Sequence, residues 1–293
     1  KRMVKVLGVI GGSGVYQIDG LENAQWISVE SSFGDPSDDL LVGEISGLKT
    51  VFLPRHGRDH AQSPSNINYR ANIDVLKRAG VTDLVSVSAC GSFREQIAPG
   101  DFVLVDQFID RTFAREKTFF DKGAVAHVSV AHPTCGALGN IIMNAADGMN
   151  VTIHNGGTYL AMEGPQFSTL AESHLYRSWG CDVIGMTNMP EAKLAREAEI
   201  CYATVAMITD YDSWHPDHGE VDVTEIRKTL VGNSENARTL IGKVALGLKE
   251  TKGRHPCAQR CDHALEYAMM GKTDLPAEVK ARLSAVAGRV INR

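Results

Sequence analysis

The sequence predicts an α/β fold: a single domain with a central, largely parallel mixed sheet flanked by helices, followed by a helical C-terminal tail. Three observations predict it. The 293 residues are 43% hydrophobic and 22% charged, enough apolar surface for one large core. Short β-rich apolar runs alternate with longer amphipathic stretches, the order that builds a parallel sheet covered by helices. No Pro/Ser-rich or low-complexity stretch marks a linker between domains. The expected division is a main folded unit over residues 1–250 and a helical extension over 251–293.

The first expected strand, residues 4–10, ends in Gly11-Gly12-Ser13-Gly14. Such a turn brings backbone amides close to an anion, or is simply a tight turn; it is neither the dinucleotide fingerprint nor a Walker A loop. Further apolar runs at 50–53, 84–87, 102–105, 183–186 and 203–208 fit strands. Between them, residues 72–79 ending at Gly80, 138–146, and 170–179 ending at Gly180 fit helices, two of them closed by glycine. A long last helix starts near Asp222, a suitable N-cap, and runs to about residue 248. There is no internal repeat.

The formal charge of −5 is unevenly placed: 22 Lys/Arg stand against 31 Asp/Glu in residues 1–250, and 8 against 4 beyond. The basic tail alternates cations with acids on helical sequence, which reads as a solvated face, and no nucleic-acid partner is expected. No run approaches the roughly 18 to 20 apolar residues of a membrane span, and the opening apolar run is too short for a signal peptide. Six cysteines, at 90, 135, 181, 201, 257 and 261, lie mostly in apolar segments. They are expected as reduced, buried thiols of a cytoplasmic protein. His255-x-Cys257-x3-Cys261-x-His263 contains four potential metal ligands, but Cys257, Cys261, Ala264/Leu265 and Ala268/Met269 also follow the apolar stripe of one docked helix. The helix is the preferred reading, and no metal is expected.

In open α/β sheets the ligand crevice lies outside the carboxyl ends of the strands. Those ends deliver Gly12-Ser13-Gly14, Arg55-His56-Gly57-Arg58-Asp59-His60, Ser88-Ala89-Cys90-Gly91-Ser92, Met186-Thr187-Asn188 and Thr209-Asp210-Tyr211-Asp212. Hydroxyls of Ser13, Ser88 and Thr187, the guanidinium fork of Arg55, and His56 through ring or backbone together suit a phosphate. Taken singly, Ser13 and Ser88 suit a turn or a cap equally well. Asp210 and Asp212 flank Tyr211; in an extended stretch both carboxylates point the same way and form either an acid/base pair or two solvated acids. Phe167 follows the Gly164-Pro165 break and offers a ring for stacking, or for the core. Val223, Ile226 and Leu230 share a helix face that walls an apolar pocket or docks the helix.

These segments, with Pro64 to Asn72, Pro99-Gly-Asp101, Asp106 to Thr112 and Glu163-Gly-Pro165, resemble the 5′-methylthioadenosine phosphorylases of the trimeric purine nucleoside phosphorylase family, from about residue 5 to residue 248. The resemblance implies the nucleoside phosphorylase fold and reversible phosphorolysis, in which phosphate attacks C1′ of the nucleoside. Inorganic phosphate is then a co-substrate, with no metal or organic cofactor. It also implies a homotrimer, or a dimer of trimers, with sites at subunit interfaces.

Carried onto this chain, the resemblance implies a phosphate shell of Ser13, Arg55, His56, Ser88 and Thr187. Met186 underlies the ribose, Ala89 and Phe167 border sugar and base, and His127 comes from a neighbouring subunit. Thr209, Asp210, Asp212 and Ser168 lie at the base-reading, catalytic end, and Val223, Ile226 and Leu230 face the 5′-methylthio group. In the 6-oxopurine branch Asn replaces Asp210 and Glu replaces Ser168, so both positions here are of the adenine type. Ser13 and Ser88 stand where relatives often have Thr, and Gln166 where many have Arg. A purine nucleoside phosphorylase with other adenine or 6-oxopurine substrates, a hydrolytic nucleosidase and a non-catalytic nucleoside sensor are the competing readings.

Overall fold

Leu7-Gly-Val-Ile-Gly11 offers only apolar side chains and small glycines, and it lies wholly buried as the first strand of the sheet. A computed structural model describes residues 4–12, 14–251, 257–271 and 274–292. In chain order the elements are β1 (Leu7–Gly11), β2 (Leu21–Ile27), β3 (Leu40–Ile45), β4 (Leu48–Pro54), α1 (Tyr69–Arg78), β5 (Asp83–Ser92), β6 (Phe102–Val105), β7 (Gln107–Asp110), β8 (Val125–Ala126) and α2 (Gly136–Ala146). They continue with β9 (Ile153–Asn155), β10 (Thr158–Ala161), α3 (Leu170–Ser178), β11 (Val183–Gly185), α4 (Asn188–Glu197), β12 (Cys201–Asp210), α5 (Val223–Glu250), β13 (Met269–Met270) and α6 (Ala277–Ile291).

The main sheet runs β2-β3-β4-β1-β5-β11-β10-β7, with β12 on β5, β6 on β12 and β9 on β6. β1 is parallel to both β4 and β5, and β12 is parallel to β5. Antiparallel pairing enters at the β2-β3-β4 edge and at β6 and β11. β5 is the branch point. Along one edge it pairs with β12 up to Gly91, while the other edge is shared between β1, at residues 83–86, and β11, at residues 91–92. Residues 87–90 therefore lie where the sheet parts, and a crevice opens there.

Helices cover both faces. Ile73, Val75 and Leu76 of α1, Ala192 and Leu194 of α4, and Leu283 and Val286 of α6 belong to one core. Leu138 and Ile142 of α2 pack with Leu240, Ile241 and Val244 of α5 in the other. Local signals set the helix ends. Asn68 caps α1 by accepting from the Ala71 N–H, which starts it earlier than the apolar periodicity alone suggests. Thr169 and Glu172 form a reciprocal capping box on α3, and Asp222 accepts from the Thr224 N–H to open α5. Among the described residues no helix is long and apolar enough to cross a membrane.

The expected single helix through Cys257 and Cys261 is not formed. Residues 257–270 are turns, a short 3-10 stretch at Cys261–His263 and strand β13, which pairs with β8. Arg260 has φ +46 between the two cysteines, a left-handed backbone that ends helical spacing. α6 is the helical part of the tail. Its apolar face, with Val279, Leu283, Val286 and Ile291, lies in the same core as α1. Its cations pair with acids of the body, Arg289 with Glu199 at 2.6 Å and Arg282 with Asp121 at 3.5 Å.

Candidate active site

The crevice beside residues 87–90 is a cavity of about 580 Å3, a size that encloses a small organic ligand. It lies at the carboxyl ends of β1, β4, β5, β11 and β12, as the strand-end argument expects. Arg55, His56, Ser88, Ala89, Met186, Thr187, Phe167, Thr209, Asp210, Asp212, Val223, Ile226 and Leu230 all line it. Ser13 lies outside the described residues. Ser168 is not among the lining residues; its buried hydroxyl donates to Asp212 Oδ2 at 2.6 Å. His127 is exposed beside β8, away from this cavity, its N–H donating to the Ala268 carbonyl.

At the anion end, Arg55 and His56 line the cavity and are both held by protein partners. Arg55 reaches the cavity wall, but its fork faces inward. Nε donates to Glu191 Oε2 at 2.8 Å, Nη1 to the Val87 carbonyl at 3.0 Å, and Nη2 to Ser86 Oγ at 2.6 Å and Glu191 Oε1 at 3.1 Å. A guanidinium bound in this way anchors the loop while lining the cavity. His56 Nδ1 lies 2.9 Å from the Gln62 carbonyl, which only accepts, so Nδ1 carries the proton. Burial, with lesser contributions from Arg55 and His60, lowers the His56 pKa to about 4. The ring is therefore neutral, Nε2 is an acceptor, and a donor from His56 comes from the main chain.

The hydroxyl end is simpler. Ser88 Oγ donates to Asn188 Oδ1 at 3.0 Å, and the Asn188 amide is itself held by Thr204 and Tyr202. Thr187 is buried at the turn between β11 and α4, where Met189 departs from helical geometry.

The acid pair is brought together by a turn rather than by extended alternation. The β5–β12 register shifts between Ile208 and Asp210, and Asp212 has φ +51. Thr209 Oγ1 donates to Asp210 Oδ2 at 2.7 Å, and the Asp212 N–H to Asp210 Oδ1 at 2.8 Å. Burial, assisted by the charge of Asp212, raises the Asp210 pKa above the ordinary carboxyl value against those two hydrogen bonds. The space for this carboxyl is made by Gly91: a Cβ there would stand 2.8 Å from Asp210 Oδ1.

The model of the phosphorylase superfamily matches residues 6–245. The chain belongs to that superfamily. Among its relatives, the S-methyl-5′-thioadenosine phosphorylase of Cereibacter sphaeroides is 64% identical, covering 99% of each chain. That of Rhodospirillum rubrum is 58% identical over 98% of this chain and 97% of its own. A methylthioadenosine phosphorylase from an antarctic soil metagenomic library superposes with a TM-score of 0.91 at 44% identity, over 97% of this chain and 99% of that one. The methylthioadenosine phosphorylase of Schistosoma mansoni, in complex with adenine, superposes with a TM-score of 0.78 at 31% identity, over 84% of this chain and 92% of that one.

In this phosphorylase-superfamily chain the structure adds residues that sequence reasoning missed. Glu191 is the buried partner of Arg55 and also accepts from Tyr202 at 2.9 Å. Arg115 ties the loop carrying Glu163 to the β11–α4 turn, donating to the carbonyls of Glu163 at 2.9 Å and Met189 at 2.7 Å. Glu163 accepts from Ser65 at 2.8 Å and from the Phe113 N–H at 2.9 Å. A buried-charge partner has no local signature; only the Glu163-Gly-Pro165 break marked that loop.

Proposed function

We propose that this phosphorylase cleaves S-methyl-5′-thioadenosine reversibly with inorganic phosphate to adenine and 5-methylthioribose 1-phosphate, with no metal or organic cofactor taking part in the chemistry. The observation that carries the reading is one cavity lined by three chemically distinct sets of residues: hydroxyls and cationic or main-chain donors, a buried acid pair, and apolar side chains of one helix. Full-length identity to phosphorylases named for this substrate points the same way.

In the proposed reaction a phosphate oxygen forms a bond to C1′ as the C1′–N9 bond breaks and its electron pair passes to the purine. Positive charge grows on the ribose and negative charge on the base, so the site needs an anion on one side and a proton donor on the other. Ser13, Arg55, His56, Ser88 and Thr187 hold the phosphate, with Arg55 braced by Glu191 and His56 donating from its main chain. Asp210, with its raised pKa, gives the proton to N7, the usual way a buried carboxyl serves as an acid near neutrality. Asp212, held by Ser168, accepts from the adenine amino group. A 6-oxopurine presents an acceptor there, which leaves both partners unpaired. Met186 supports the ribose, Ala89 and Phe167 border sugar and base, and Val223, Ile226 and Leu230 take the uncharged methylthio group.

The reading extends to a cytoplasmic homotrimer, or a dimer of trimers, in which His127 of a neighbouring subunit reaches the cavity. The exposed edge of Phe167 supports it. Residues 1–250 carry the chemistry and 251–293 form the extension. Turnover of methylthioadenosine with and without phosphate tests the function: adenine is expected only with phosphate. Full-rate adenine release in phosphate-free buffer identifies a hydrolase, and binding without product in either buffer identifies a sensor.

A further inference from the structure

Four cysteines from three separate parts of the chain meet away from the cavity. The Sγ atoms of Cys135, Cys201, Cys257 and Cys261 all lie within 4.8 Å of one another. Cys135 is the N-cap of α2, Cys201 is the first residue of β12, and Cys257 and Cys261 bracket the turn that replaced the expected helix. Three of the four are buried, Cys257 is partly buried, and none is disulfide-linked.

Thiols are weak donors and weak acceptors, so crowding four of them gains little by hydrogen bonding. The arrangement matches the needs of a metal. Tetrahedral thiolate zinc, with Zn–S about 2.3 Å, places its sulfurs roughly 3.8 Å apart, inside the span seen here. A disulfide instead needs its sulfurs at about 2 Å. The surrounding main chain is already arranged for the purpose. The Cys261 N–H donates to Cys257 Sγ at 3.2 Å, the kind of contact that disperses charge from a ligating thiolate. Protein contacts also hold the turn: the Arg260 N–H on the Cys257 carbonyl at 3.0 Å, the Gly136 N–H on Gln259 Oε1 at 3.3 Å, and Arg196 Nη2 on the Gln259 carbonyl at 2.8 Å.

We propose that Cys135, Cys201, Cys257 and Cys261 bind one zinc ion in a closed structural site that clips the C-terminal extension to the body. A set of four thiolates selects a soft or borderline metal over magnesium or calcium. With four protein ligands no coordination position is left for substrate. The site is also remote from the chemistry: Cys201 and Asp210 stand at opposite ends of β12, roughly 30 Å apart at about 3.3 Å per residue. Binding forms four Zn–S bonds and releases the thiol protons to solvent, with no change in oxidation state. The ligand set differs from the cysteines and histidines adjacent in sequence. His263 Nδ1 faces Asp262 at 3.1 Å, and His255 lies outside the described residues.

The test is independent of the proposed activity. The full chain, purified under reducing conditions, is exposed to zinc, freed of loosely bound metal by gel filtration, and assayed for metal by plasma mass spectrometry. About one zinc per chain is expected, released when a mercurial titrates the thiols. Cys257→Ser should lower the zinc content about tenfold or more, while Cys181→Ser keeps it. Loading the wild-type chain with cobalt(II) covers the case in which Cys257→Ser fails to fold: intense thiolate-to-cobalt and tetrahedral d–d bands are expected. Folded, reduced wild-type protein that retains less than about a tenth of a zinc per chain, or lacks those bands, overturns the proposal. So does recovery of the four residues as two disulfides from protein kept reduced throughout.

Discussion

Arg55 and Glu191 meet in a two-point ion pair beneath the cavity, Nε to Oε2 at 2.8 Å and Nη2 to Oε1 at 3.1 Å, with both side chains almost wholly removed from solvent. The pair joins the loop after β4 to the first turns of α4, the two segments that carry His56 and Thr187. Removing one partner strands the other charge without water. Arg55→Ala or Glu191→Gln should each lower unfolding stability by about 3–5 kcal/mol, read from urea midpoints. Arg55→Met combined with Glu191→Leu should recover a large part of the loss. Equal losses in single and double variants would show that the pair is not what stabilises this junction.

Asp210→Asn should lower kcat/KM for methylthioadenosine by about a hundredfold or more, the range of a general acid, and improve the ratio for methylthioinosine. The raised pKa of Asp210 has a definite sign in the rate profile. Protonated donor is present below that pKa and disappears above it, so kcat should fall on the alkaline side in wild type and lose that limb in the variant. An unchanged profile and preference would remove Asp210 from catalysis.

The apolar wall on α5 is expected to decide between 5′ substituents. Ile226→Asp should raise KM for methylthioadenosine by roughly 10–200-fold, the range for a misfitted apolar group, with a smaller effect on adenosine. Steady-state kinetics on the two nucleosides measure it, and equal effects on both would place the 5′ group elsewhere.

His56 gives a pH dependence of stability. Its folded pKa of about 4 lies below the ordinary 6.5, so the unfolded chain takes up a proton first. The stability present above pH 6.5 is lost as pH falls toward 4, by an amount of order 3 kcal/mol. Urea midpoints at pH 7 and pH 4.5 should therefore differ less in His56→Gln than in wild type. An identical acid sensitivity in the two proteins would assign it to other groups.

Leu283 of α6 is wholly buried in the core shared with α1. Leu283→Ala should cost about 2–5 kcal/mol of stability and leave base preference unchanged in the protein that remains folded. A shift in preference at full stability would give the tail a role in the site.

Most of the central sheet was legible from residue order. The runs at 50–53, 84–87, 102–105 and 203–208 are strands β4, β5, β6 and β12, because consecutive β-branched and aliphatic residues bury both faces. β2 was not legible, since Leu21-Glu-Asn-Ala-Gln-Trp-Ile27 is an exposed edge strand with no apolar run. α4 was hidden by Asn188-Met189-Pro190, where the backbone at Met189 leaves helical geometry.

At the site, the strand-end rule selected the loops that line the cavity, because side-chain type and position along a strand are local properties. Orientation is not local. Nothing in Arg55-His56 says that the guanidinium turns inward, because that depends on Glu191, far along the chain, whose burial makes pairing obligatory. The same holds for the thiols. Cys257-x3-Cys261 reads in sequence as a helix stripe, and only the left-handed Arg260, with β12 and α2 bringing Cys201 and Cys135 alongside, shows otherwise. The α/β class, the Asp222 cap of α5 and the chemical inventory follow from the sequence alone, since propensity and periodicity act between near neighbours. Which charges pair, which donors remain for a ligand and which thiols converge are decided by packing, because burial removes water and leaves each polar group only the partners that the fold supplies.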